Sequence, residues 1–265
     1  MLAEIHNKIS QSGSNLSDRL EDKLTGDFFG AIRYLPFESG LKQVLEATNF
    51  KQNLVKDQWV TELNNQRGYS GTWSFWHRED EGEIDLLLTF PDMIIGIEVK
   101  YLSGISSEDV PGLDLAGHVD SVNQLARYSR MLDRISLERN AYLIFLSPYE
   151  MMHEVKASME GRKIIAPSVD VGYLNWEDIH ESLKMIDLSL HDQGQQYIVE
   201  DLLQLLVKKG LIRFRGFGVN ENTVAISKAH YQFNEDRTIR DQKCWNWPTK
   251  QIIKEEQSYV FEFSE

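Results

Sequence analysis

Cysteine is almost missing from this chain. Cys244 stands alone among 265 residues, so no disulfide framework can hold the fold, and a lone thiol suits a reducing compartment. No Cys/His cluster has the spacing of a zinc site, and zinc is not expected. Long apolar runs are missing as well: none approaches the roughly 18 residues that a membrane helix requires. The opening "MLAEIHNKISQSGSNL" carries no charged-then-apolar signal pattern. Together these observations predict a soluble, cytoplasmic protein with no membrane partner.

Basic charge is scarce. Lys and Arg number 28 against 41 Asp and Glu, a formal net charge of -13. A protein that coats nucleic acid by neutralising many phosphates needs the opposite balance, so any contact with nucleic acid must run through local basic patches and a bound cation. The chain also lacks internal repeats, low-complexity tracts, an obvious linker and a credible Ser-His-Asp arrangement. At 42% hydrophobic residues it can bury a substantial core, as one large domain or two small ones.

Periodicity supplies the elements. Ser17 reads as the N-cap of a helix with Leu20, Leu24 and Phe28 on one face, ended by Pro36. After a polar connection, "YSGTWSFWHREDEGEIDLLLTF" reads as extended, breaks at Asp80 to Gly82, and resumes as a strand from Glu83 to Phe90. "MIIGIEVKY" is the next strand, and the Gly-, Ser- and acid-rich "SGISSEDVPGLDLAGHV" is a long loop. "DSVNQLARYSRMLDRIS" is a helix, and the unbroken apolar "AYLIFLS" a buried central strand. Helices at "NWEDIHESLKMI" and "YIVEDLLQLLVKKG" follow, the second closed by Gly210, and "LIRFRGFGV", "TVAISKAHYQF" and "SYVFEF" have strand composition. The expectation is an α/β core over residues 1–150, a mixed central sheet flanked by helices, with an α+β elaboration over 151–265 packed on the same domain.

The stretch "FPDMIIGIEVKY" holds two acids that could matter, Asp92 and Glu98. If Pro91 and Asp92 form a two-residue turn, Phe90 faces Met93 and every facing pair has the same sum of residue numbers. Ile84, Leu86, Leu88 and Phe90 then share an apolar face with Val99, Ile97, Ile95 and Met93, and Asp85 lands opposite Glu98. Facing residues have Cβ atoms about 4.5–5.5 Å apart. Two such carboxylates repel unless a cation lies between them, and oxygen ligands suit Mg2+ or Mn2+. Lys100 lies two residues further along that face, placed to position or deprotonate an attacking water. Asp92, six strand residues from Glu98 at roughly 3.3 Å each, is a turn residue. The same register also allows a plain Glu83–Lys100 salt bridge, so these residues alone leave both readings open.

The order Gly-x-x-Asp, apolar strand, turn, apolar strand, Glu-x-Lys, then Gln124 and Tyr128 on a helix, resembles the PD-(D/E)XK nuclease superfamily, in particular its RecB-type exonuclease-like branch. The likeness covers roughly residues 17–150. Ile84 stands where that family's motif has Pro, a position the family varies freely. The resemblance implies a restriction-endonuclease-like fold and Mg2+- or Mn2+-dependent hydrolysis of phosphodiesters, DNA favoured over RNA. It implies Asp85, Glu98, Lys100 as catalytic residues, with Glu21 and the Val99 backbone carbonyl completing the metal site and Gln124, Tyr128 and Arg127 facing substrate. Arg127, Arg130 and Arg134 form a basic row on that helix, and "VKKGLIRFRGF" gathers Lys208, Lys209, Arg213 and Arg215 as a second contact region. A non-catalytic module that binds nucleic acid or protein on the same fold is the alternative, and a homo-oligomer or partner protein is left open.

Overall fold

The computed structural model describes residues 16–109, 117 and 119–214. Helix α1, Leu16–Ile32, places Leu24, Phe28 and Ile32 four residues apart, and all three are fully buried. Ser17, expected to cap it, lies inside this helix. A 3-10 turn at Phe37–Ser39, the short α2 (Leu41–Leu45), β1 (Asn49–Phe50) and α3 (Asn53–Asn65) occupy what reads in the sequence as a polar connection. Strands β2 (Thr72–Glu79), β3 (Gly82–Thr89) and β4 (Met93–Val99) form a meander, followed by α4 (Gln124–Ser136), β5 (Asn140–Ser147), α5 (Tyr149–Ser158), β6 (Val169–Asn175), α6 (Trp176–Lys184) and α7 (Gln193–Lys208).

The six strands make one open mixed sheet in the order β1-β6-β5-β4-β3-β2. The β2–β3, β3–β4 and β1–β6 pairs are antiparallel, β4–β5 and β5–β6 parallel. Strands β4 and β5 are central, and all seven residues of β4 are buried, as both-face coverage requires. One face packs on α1, α2, α3, α6 and α7, through Phe28, Val44, Trp59, Trp176 and Leu202 among others. The other packs on α4 and α5, through Leu125, Leu132, Met152 and Val155. The fold is therefore α/β in three layers. Because β6 extends the sheet and the compact unit runs to Phe214, the structure does not change character at residue 150.

The β3–β4 register is the one the turn dictates: Leu86 faces Ile97, Leu87 Gly96, Leu88 Ile95 and Thr89 Ile94. Phe90 N–H donates to the Met93 carbonyl at 2.9 Å across Pro91 and Asp92. Asp92 accepts from Gln66 Nε2 at 2.9 Å, at the tip. The expected pairing fails beyond Leu86, where neither Ile84–Val99 nor Asp85–Glu98 is a ladder pair. Ile84 does not share a face with Leu86; it joins the α4 side while Leu86 and Leu88 join the opposite core. The cause is a local break in pairing: β2 and β3 match on both sides of Trp76 and Asp85 but not at them, and Trp76 has a φ of +49°.

Among the described residues no helix is long and apolar enough to cross a membrane. Gly210 follows α7 with a φ of +71°, the left-handed geometry of a helix-ending glycine. Residues 211–214 of the expected "LIRFRGFGV" strand are irregular, and the remainder of that stretch, "TVAISKAHYQF" and "SYVFEF" lie outside the described residues.

Candidate active site

The break at Asp85 ends the β3–β4 ladder one pair short of Glu98, and the strands part there. Asp85 Oδ2 instead accepts the main-chain N–H of Val99 at 2.8 Å, which aims its carboxyl across the gap. Glu98 follows on the central strand. Lys100, one residue beyond β4, still donates its N–H to Leu146 of β5 at 2.7 Å. The site thus sits at the carboxyl end of the parallel β4–β5 pair, where open α/β sheets form crevices. An open cleft of about 450 Å³ lies here, lined by Glu21, Asp22, Glu83, Asp85, Glu98 and Lys100 together with Ser103–Ser106, Gln124 and Tyr128.

Five carboxyls and one ammonium therefore share the cleft wall. The Lys100 ammonium bridges Glu98 Oε1 at 2.7 Å and Glu21 Oε1 at 3.1 Å. It pairs with these two acids, not in the Glu83 bridge that the strand register allows. Glu21 reaches the site because it lies three residues before Leu24, at the end of the buried stripe of α1. Its Oε2 accepts from Tyr101 N–H at 2.9 Å and Ser103 Oγ at 2.7 Å, so both its oxygens are engaged. From the opposite face Gln124 Nε2 donates to Glu98 Oε1 at 2.6 Å and to the Tyr128 hydroxyl at 3.2 Å, and its Oε1 accepts Ser106 N–H at 2.9 Å. Tyr128 donates to the Glu83 carbonyl at 2.6 Å.

The Glu98 carboxylate is thereby asymmetric. Oε1 takes two donors, whereas Oε2 is buried with no N–H or hydroxyl donor on it among the described residues, and the Asp85 carboxyl, when protonated, is a hydrogen-bond partner of Glu98. Burial lifts the Asp85 carboxyl well above the usual range, and the charge of Glu98 lifts it further. Burial also pushes Glu98 up to about 7, Lys100 pulling it back and Glu21 adding to the rise. Lys100 loses some proton affinity to burial, but Glu98, Glu21 and Asp85 outweigh this and hold it above an ordinary lysine. The ammonium stays charged.

Among the described residues no three His, Cys, Asp or Glu side chains converge on a common metal position. The Val99 side chain is core, and its N–H serves Asp85. Arg127 lies 5.9 Å from the Tyr128 ring centroid, and its Nε is buried with no partner among the described residues. Of the basic row, Arg130 grips Glu81 through two bonds of 3.0 and 2.8 Å, and Arg134 approaches Glu79 at 3.9 Å. Those two arginines tie α4 to the β2–β3 hairpin. Arg213 pairs with Asp178, and Arg215 is outside the described residues.

Several contributors carry no signal in the sequence. Ser103 anchors Glu21 from the loop. Trp176, 76 residues after Lys100, donates its indole N–H to the Lys100 carbonyl at 3.0 Å from the start of α6. Asn123 caps α4 by accepting from Leu125 and Ala126 N–H, which sets Gln124 at the helix entrance. Comparison with protein-family models, curated proteins and solved structures gives no match to this chain.

Proposed function

We propose that this cleft is the active site of a metal-dependent phosphodiesterase acting on nucleic acid, DNA in preference to RNA, on a restriction-endonuclease-like core. The observation that carries the reading is the buried carboxyl pair: Glu98, whose Oε2 takes no donor from elsewhere among the described residues, shares a hydrogen bond with the Asp85 carboxyl, and its charge raises the pKa of Asp85. A hard divalent cation suits that pair, because Mg2+ and Mn2+ take oxygen ligands and Mg2+ needs only one or two carboxylates, with water and phosphate filling the rest. Asp85 and Glu98 would hold it, joined by the Val99 carbonyl that the family resemblance implies. When bound, the ion supplies Lewis-acid stabilisation of the phosphate and acidifies water.

The chain's own residues do the rest. Lys100, held protonated by three acids, acts as a donor to a water or a phosphate oxygen and not as a base. Glu21, with both oxygens engaged, orients Lys100 and the Tyr101–Ser103 backbone; it is a positioning residue in this assignment, with the metal left to Asp85 and Glu98. Gln124 fixes the Glu98 rotamer from the far wall, and Tyr128 fixes Gln124. Arg127, beside them, is the basic side chain of the arginine row assigned to substrate.

The test is cleavage of labelled DNA with Mg2+ or Mn2+. Cleavage that needs the ion, lowered at least ~10²-fold by Lys100→Ala with the fold intact, is the expected outcome. Absence of ion-dependent cleavage of every DNA and RNA form overturns it. A non-hydrolytic binding module is favoured by one observation, that Lys100 already bridges Glu21 and Glu98 where no three acids converge among the described residues. Calorimetric titration with Mn2+ separates the two: heat abolished by Asp85→Asn supports the enzyme, and no heat supports the module.

A further inference from the structure

One residue links the acidic cleft wall to the lysines that end α7. Tyr101 donates its main-chain N–H to Glu21 on the acidic wall and its hydroxyl to the Lys209 carbonyl, at 3.1 Å, where α7 ends. The Lys209 ammonium stands 5.0 Å from the Tyr101 ring centroid, within cation–π reach. Lys208, in the last turn of α7, is exposed. The residue after Lys100, the one ammonium of the cleft among the described residues, is thus held by Lys209, next to the exposed Lys208.

We propose that the last turn of α7, through Lys208 and Lys209, is the subsite for the nucleic-acid strand next to the reacting phosphodiester. The assignment rests on the phosphodiesterase reading of the cleft and extends it from a bond to a polymer. A strand carries one negative charge per nucleotide, about every 3.4 Å along the axis of a duplex. A cation between Asp85 and Glu98 can neutralise one phosphate, but the phosphates on either side would meet the carboxyls of Asp22, Glu83 and Glu21. They need positive charge close by. Arg130 and Arg134 are matched by Glu81 and Glu79, whereas the end of α7 offers two adjacent ammoniums tied to the cleft through Tyr101. Lysines in a last helical turn also favour the helix dipole, a role that predicts a loss of stability and nothing more.

The experiment uses the full chain and the double variant Lys208→Ala/Lys209→Ala, with Lys209→Arg as the conservative control. Binding of a fluorescein-labelled DNA duplex is followed by anisotropy in Ca2+ over a range of salt, and hydrolysis of bis(p-nitrophenyl) phosphate is followed in Mn2+. That small diester has no neighbouring phosphates. The subsite requires the double variant to bind duplex ~10-fold more weakly, with a slope of log K against log salt reduced by about 2. Hydrolysis of the small diester stays at the wild-type rate, and Lys209→Arg keeps the wild-type slope. An unchanged slope overturns the subsite, even if the variant melts earlier. Wild-type protein that cleaves the small diester but does not bind duplex also overturns it, leaving the chemistry of the cleft in place. Duplex binding that depends on the lysines in a protein that does not hydrolyse the small diester overturns the phosphodiesterase reading and, with it, the placing of the lysines beside a reacting phosphate, leaving a strand-binding surface.

Discussion

Glu98 is 2% exposed and shares its surroundings with the Asp85 carboxyl, a costly place for a negative charge without a cation against it. In the metal-free protein Lys100 is that cation, and it serves Glu21 at the same time. Folding therefore responds to pH with a definite sign. A carboxyl whose pKa is raised by folding favours the folded state while protonated, so its contribution is complete below the ordinary carboxyl range. It is lost as pH rises through the folded value. For Glu98 the window runs from 4.5 to about 7, and Asp85 acts in the same direction. In EDTA the protein should lose several degrees of melting temperature between about pH 5 and pH 8. Glu98→Gln should flatten that decline. A wild-type profile level across the window would show that the two carboxyls are not mutually strained.

Strand β4 carries the site because it is packed on both sides, and Gly96 sets how closely α4 approaches. A Cβ at Gly96 would lie 2.6 Å from Ile84 Cδ1 and 3.0 Å from Leu132 Cδ1. Both are side-chain ends, yet they sit in a filled core, so accommodation costs about 1–3 kcal/mol. Gly96→Ala should lower the unfolding free energy by that amount, read as a lower urea midpoint with the m-value unchanged; a neutral result would mean that α4 can lift from the sheet. The register around Gly96 was readable beforehand, since a two-residue turn and alternating apolar residues admit only one pairing. So were α1, α4, β5, α6 and α7, each with an apolar run or stripe of its own. Other elements carry no such local signal. Helix α3 buries Trp59, Glu62 and Leu63 but no continuous stripe. Strand β6, "VDVGYLN", is broken by Asp170 and Gly172, and it becomes a strand through parallel pairing with β5. The face change of Ile84 depends on the Trp76 backbone. Asp85, Glu98 and Lys100 could be grouped from spacing because two adjacent strands carry them, whereas Gln124 joins them only through the family resemblance. The bonds from Tyr101 and Ser103 to Glu21, and from Trp176 to Lys100, join residues about 76–82 positions apart and exist only once the layers pack.

The molecule as a whole carries a formal charge of -13, and the cleft repeats that sign locally. A polyanion approaching it meets repulsion at long range, which slows encounter and is screened by salt. In the function proposed above, attraction is short-ranged and, among the described residues, comes from the ion, Arg127 and the lysines of α7. This gives the two site acids opposite effects under two conditions. Without a divalent ion, and at a pH above the window in which Glu98 titrates, the ionised acids only repel phosphate, and the double variant Asp85→Asn/Glu98→Gln should bind labelled duplex more tightly than wild type in EDTA at about pH 8.5 or above. With Ca2+ present the same acids recruit the cation, and the variant should bind more weakly than wild type, which itself should gain ~10-fold or more on adding the ion. Anisotropy titrations in the two buffers read both signs. Curves that shift in the same direction in both would mean that the acids act only through their charge on the surface and that no ion links them to the strand.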